Sequence, residues 1–193
     1  MAGRSVVLTT NYRNTVEILA AAGSVVRDDS FDDLEASAVT GERSVEVVRH
    51  GARPTIAAYD DLTAHDDALL WDVQALGDRC VPWSHLAVLC PTNSMAKEYA
   101  ALLHSHGIPA ALLTDGGAAD AVTVGTWFRS KGLEWPHVFL PQSDRETLLL
   151  TGAGETARAE KALLLRRTLY VAMTRARDTL WVGQLRRARV PDA

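Results

Sequence analysis

Three short segments carry the side chains best suited to chemistry. They are Asn11-Tyr12-Arg13-Asn14, the run from Val124 to Trp135 (VGTWFRSKGLEW) and the run from Arg166 to Asp178 (RRTLYVAMTRARD). In the third, an apolar helical interior ends in Thr174-Arg175-Ala176-Arg177. Arginine stays charged at every physiological pH and presents a planar fork of donors that matches phosphate oxygens. Placed at a helix end beside a sheet edge, Arg175 is suited to reach an anion across a cleft. A plainer reading stands beside it: a cation near a helix C-terminus complements the macrodipole and does nothing more. The residues alone leave both open.

The elements that must hold these segments follow from hydrophobic periodicity. Ser5 to Thr9 is short and β-branched, and NYRN then turns the chain into an apolar-periodic helix from Thr15 to Val26, with Asn14 or Thr15 near the N-cap. Residues 27–43 are acidic and turn-rich, a surface connection. Ser44–Arg49 and Thr55–Tyr59 pattern as strands, and Asp61–Leu76 has its leucines at helical spacing. His85–Cys90 is a continuous apolar run, hence a buried strand. Ser94–His106 is a helix stopped by Gly107. Pro109–Leu113, Val122–Trp127, His137–Leu140 and Thr179–Gly183 are further strands. RSKGLEW is a turn expected to start a helix, and Glu155–Arg175 is a long helix. Strands alternating with helices specify an α/β fold with a mostly parallel sheet covered by helices on both faces. Ligands bind beyond the carboxyl ends of such strands, so the loops after Val124 and around Arg175 are where chemistry is expected.

Composition narrows the classes. With 47% hydrophobic and 23% charged residues in 193, the chain is a globular domain and not a disordered one. The expected organisation is one domain over 1–185 and a mobile tail over 186–193. No apolar run approaches the roughly 20 residues that span a bilayer, and the N-terminus lacks a signal peptide's apolar core, so a cytoplasmic protein without membrane contact is expected. The net charge of −4 is not that of a general nucleic-acid binder. The charge is uneven, however: Asp28, Asp29, Asp32, Asp33 and Glu35 cluster, while arginines crowd the C-terminal quarter. Cys80 and Cys90 lack the spacing of a zinc site and read as small buried residues; no metal site is expected.

Taken together the three segments resemble, in order, motifs of the UvrD, Rep and PcrA helicases of superfamily one. YVAMTRARD resembles that family's last motif, Thr126 to Glu134 (T-x-x-x-x-K-G-L-E) the one before it, and NYRN the segment that opens its second motor domain. The resemblance covers Asn11 to about Gly183. It implies a RecA-like three-layer sandwich that closes over ATP held by a separate first motor domain. It also implies that Arg13 and Arg175 reach the γ-phosphate as catalytic groups, with Tyr12 stacking on adenine and Glu134 accepting from a ribose hydroxyl. Gly132 would let backbone come close to the nucleotide. Thr126 and Lys131 would face single-stranded DNA, with movement 3′ to 5′.

Two departures qualify this. Phe128 stands where the family has a histidine that couples DNA contact to the nucleotide; a phenylalanine there either stacks on a DNA base or belongs to the core. Leu163 to Leu165 replace acidic residues before Arg166 and Arg167, suggesting a more buried helix; the two arginines themselves read as surface. Arg177 and Asp178 are expected to pair locally. No G-x-x-x-x-G-K-[ST] phosphate loop occurs, so Mg2+ and the ATP phosphates would be held by a first motor domain in cis or trans, and the chain alone is expected to be inactive. The roughly 110 residues between Arg13 and Thr126 are filled by motor-domain core, with little room for a large helical insertion. A second reading is a helicase-like binding module that acts on a protein partner such as RNA polymerase without unwinding.

Overall fold

The structure, a computed structural model, describes residues 10–26, 46–115, 120–144 and 154–186. In chain order its elements are β1 (Thr10–Thr15), α1 (Val16–Val25), β2 (Glu46–Arg49), β3 (Thr55–Tyr59), α2 (Leu62–Asp78), β4 (Leu86–Cys90), α3 (Asn93–Ser105), β5 (Ala110–Leu112), β6 (Val122–Thr126), β7 (Trp135–Leu140), α4 (Glu155–Met173) and β8 (Ala176–Leu185). Six strands form one parallel sheet in the order β3-β8-β7-β4-β6-β5, and β1 pairs with β2 in a separate parallel sheet.

The apolar run of β4 is read by both faces. Ala87 and Leu89 pack with residues of α1 and α4, including Ile18, Leu169 and Met173. Leu86, Val88 and Cys90 pack with residues of α2 and α3, including Leu69, Val73 and Leu103. Leu180 and Val182 of β8 join the first core and Trp181 the second. This is the three-layer RecA-like sandwich that the resemblance implies, and it explains why β4 shows no polar alternation.

Helix ends follow local chemistry. Thr15, Asp61 and Thr92 cap α1, α2 and α3 by accepting from the amides of Ile18, Ala64 and Met95. After α3, Gly107 takes φ +72°, and Ile108 closes back onto the carbonyl of Leu103. On the α2–α3 side, fully buried His65 accepts from the Gln142 amide, and Gln142 and Asp66 both bond the Tyr99 hydroxyl.

Several expectations are corrected. NYRN lies within strand β1, whose register is broken between Asn11 and Thr15; the Asn11 side chain accepts from the Arg13 and Asn14 amides there. RSKGLEW starts no helix, because its turn runs straight into β7. Helix α4 stops at Met173, so Arg175 lies beyond it. The leucines at 163–165 do not mark a buried stretch: Leu164 is exposed. Cys80 is exposed and only Cys90 is buried. The expected strand over Ser5–Thr9, the acidic connection over 27–43 and the tail beyond Arg186 lie outside the described residues. Arg186 itself is held, its amide donating to Tyr59 and its guanidinium pairing with Asp60. Among the described residues no helix is long and apolar enough to cross a membrane, and no three His, Cys, Asp or Glu side chains converge as metal ligands.

Candidate functional site

Strand register places the sequence-predicted residues at two ends of the sheet. Thr126 is level with Cys90 at the carboxyl end of β6, whereas His137 is level with Leu86 and Trp135 with Ala176 at the amino ends of β7 and β8. The levels of Thr126 and Trp135 therefore differ by six residues, about 20 Å at roughly 3.3 Å per residue. Of the two segments expected beyond carboxyl ends, the one at Thr126 stands there and the one at Arg175 stands at the amino ends instead. The segment from Trp127 to Glu134 bridges the two ends, and Trp127 and Trp135 both sit in the core beneath α1 and α4.

At the amino ends, side chains from β1, the turn before β7 and the turn before β8 converge. Glu134 stands between two arginines, its carboxylate oxygens 4.0 Å from Arg13 Nε and 4.0 Å from Arg177 Nη1. Arg177 therefore faces Glu134, not Asp178; Asp178 instead pairs with Arg49 of β2. Tyr12, next to Arg13, is 70% exposed, so it is no packed core tyrosine. Arg13 and Arg177 thus flank one carboxylate, and Arg175 bonds the Leu133 carbonyl beside it.

Arg175 does not project across a cleft as expected. It is 4% exposed, and its guanidinium folds back onto Val171 O (3.0 Å), Leu133 O (3.2 Å) and Thr174 Oγ1 (3.4 Å). The cause is local: α4 has already ended, and the arginine lies where the chain turns into β8. There its own carbonyl accepts from the Trp135 amide.

At the carboxyl ends, Trp127 anchors the turn. Its side chain is 1% exposed, and its indole Nε1 donates to Leu89 O at 2.9 Å. Thr126 is buried and its hydroxyl accepts from the Arg129 amide. Phe128, the next residue after the anchor, is 78% exposed, which removes the core reading. Lys131 is exposed. Gly132 has φ +85° with open space around its Cα, so within the chain it is needed for its left-handed backbone and not for close packing. Beside this turn lies a groove of about 400 Å³ lined by Asn93, Lys97, Thr114, Thr126 and Arg129 together with apolar residues.

Lys97 carries no signal in the sequence, Arg129 shows there only as a variable position of the second segment, and the bonding partners of Asn14 and Arg49 are hidden from it. Asn14 was visible as part of NYRN but read only as a helix cap, a role that Thr15 fills.

Comparison with known proteins now adds to this geometry. Residues 111–187 match the family model described as UvrD-like helicase C-terminal domain. Over 105 residues, 53% of the chain, the sequence is 30% identical to the mitochondrial ATP-dependent DNA helicase HMI1 of Saccharomyces cerevisiae, of which it spans 15%. In fold it is similar to the crystal structure of the C-terminal domain of a possible DNA helicase from Lactobacillus plantarum. That likeness has a TM-score of 0.64 and 17% identity, and covers 91% of this chain and 88% of the other.

Proposed function

We propose, from the match of residues 111–187 to the UvrD-like helicase C-terminal domain, that the chain is the second motor domain of an ATP-dependent DNA helicase or translocase. Its partner would be a first motor domain, in cis or trans, that holds ATP and Mg2+ through a phosphate loop. The observation that carries this reading is that Arg13 and Arg177 flank Glu134 at the amino ends of β7 and β8, with Arg175 bonded to the adjoining Leu133 carbonyl. Phosphoryl transfer spreads negative charge over the equatorial oxygens, and pre-placed guanidiniums stabilise it. Arg13 and Arg175 are assigned that role. Arg175 would exchange the carbonyls of Val171 and Leu133 for phosphate oxygens, a gain in charge pairing that offsets the bonds it leaves. The exposed ring of Tyr12 would stack on adenine. Glu134 would accept from a ribose hydroxyl, and Gly132 would lie in the loop leading to it.

Single-stranded DNA would lie at the opposite, carboxyl end. There Thr126 and Lys131 meet phosphates, exposed Phe128 stacks on a base, and the neighbouring groove adds Lys97 and Arg129.

The test pairs the chain with a candidate first motor domain from the same genome. ATP turnover is measured with and without single-stranded DNA, for wild type and Arg175→Ala. DNA-stimulated turnover that falls by about 10³ to 10⁵ in Arg175→Ala supports the reading. Turnover indifferent to Arg175, or none in any folded pairing, refutes it.

A further inference from the structure

Arg13 and Arg175 are supplied from opposite ends of the chain, and no ladder joins their segments. Among the described residues, strand β1 pairs only with β2, in a sheet separate from the one containing β8. Backbone hydrogen bonding therefore leaves the position of Arg13 relative to Arg175 unfixed. Apolar packing of α1 against α4 and β8 brings the two segments together, and two polar side chains add the directional bonds between them.

Asn14 is fully buried. Its Nδ2 donates to Thr174 O at 2.8 Å and to Ala176 O at 2.7 Å, the carbonyls on either side of Arg175. Its Oδ1 faces Arg13 Nε at 3.5 Å and Asn11 Nδ2 at 3.4 Å. One amide thus spends both donor hydrogens on the Arg175 segment and its acceptor on the Arg13 segment. Only an amide of this length has that combination: aspartate has no donor, and serine has one. Arg49 closes the arrangement from the other side. Its Nη1 donates to Arg13 O at 2.6 Å and to Arg177 O at 3.4 Å, and its Nη2 pairs with the Asp178 carboxylate.

We propose that Asn14 and Arg49 are positioning residues that lock the strand bearing Arg13 to the turn bearing Arg175 and Arg177, so that the two arginines reach a nucleotide as one unit. The inference rests on the motor reading above. Its physical basis is that misplacing a stabilising group by about 1 Å costs on the order of 100-fold in rate, so separately supplied arginines need a rigid common frame.

The test uses the full chain with the companion motor domain, comparing Asn14→Asp, which keeps shape and removes both donors, with Arg49→Ala and Arg49→Lys. In Asn14→Asp and Arg49→Ala, kcat falls about 10- to 100-fold while KM for ATP moves less than about threefold. Arg49→Lys recovers part of the loss. In an Arg175→Ala background Asn14→Asp costs less than about threefold, because the group it positions is gone. Wild-type kcat in folded Asn14→Asp and Arg49→Ala overturns the inference, as does an undiminished loss in the Arg175→Ala background. If Asn14→Asp does not fold, the partly exposed Arg49 variants decide alone. If the wild-type pair shows no turnover, the motor reading falls first. The locking is then decided by the NMR signals of the Arg13 and Arg175 Nε–H groups in the chain by itself. Shifts or broadening in Arg49→Ala with α3 amides unchanged support it, and unmoved signals overturn it.

Discussion

Trp127 and Phe128 are adjacent aromatic residues with opposite surroundings, and replacing each separates anchoring from binding. Phe128 is 78% exposed. Its truncation in Phe128→Ala removes almost no buried contact, so stability should move by no more than about 0.5 kcal/mol. If its ring stacks on a base, it contributes about 1–3 kcal/mol to binding, which is about 5- to 160-fold in Kd. Trp127→Phe should do the reverse. The indole is 1% exposed and its Nε1 donates to Leu89 O. Phenylalanine leaves that buried carbonyl short of a donor, at a cost of about 1–3 kcal/mol in stability, while Phe128 stays in place. Binding is read by fluorescence anisotropy on a labelled oligothymidine at low salt, and stability by urea titration of the same preparations. Wild-type affinity in Phe128→Ala refutes the stacking role. A loss of more than about 1 kcal/mol of stability in that variant refutes the exposed placement itself.

The other expectations follow from the same geometry. If Lys97, Arg129 and Lys131 each meet one phosphate, single-stranded DNA affinity should fall with log salt at a slope of about −2, and Lys131→Ala should flatten it by about 0.7; an unchanged slope removes Lys131 from the interface. At Gly183 an added Cβ would lie 2.3 Å from His65 Nε2 and 2.3 Å from the Trp181 ring. Both neighbours are buried, so Gly183→Ala should lower stability by at least about 1–3 kcal/mol, and a wild-type urea midpoint would contradict that packing. The Glu17 carboxyl is held down to about 2, from an ordinary 4.5, by its own amide, then the His50 side chain and the Gly51 amide. A depressed carboxyl stabilises fully above its unfolded value and loses that contribution as pH falls through its folded one. The urea-midpoint difference between wild type and Glu17→Gln should therefore narrow as pH drops from 4.5 towards 2; a difference that holds constant over that window rules the linkage out.

The candidate site was half legible in the sequence. The side chains suited to chemistry lie in short local segments, NYRN, KGLE and TRAR, which are legible as they stand. What each does in the chain was less visible. Phe128 reads as core or platform until its exposure is known. Arg175 reads as a projecting cation until the end of α4 turns it back onto carbonyls. Asn14 reads as a cap because the Thr174 and Ala176 carbonyls that it bonds are 160 and 162 residues away.

The same division holds for the fold. Unbroken apolar runs such as Leu86–Cys90 determine by themselves that strands are buried on both faces, and hence that the domain is a helix-covered parallel sheet. The spacing of leucines and the capping residues determine α2 and α3, because periodicity and capping are short-range. Strand order, register and the separation of β1–β2 from the main sheet are long-range pairings that no local pattern encodes. Those pairings put Thr126 and Arg175 at opposite ends of the sheet, although the sequence reading had placed both at one. Only the tertiary structure decides that one end holds Arg13, Arg175 and Arg177 while the other presents an aromatic residue and cations beside a groove.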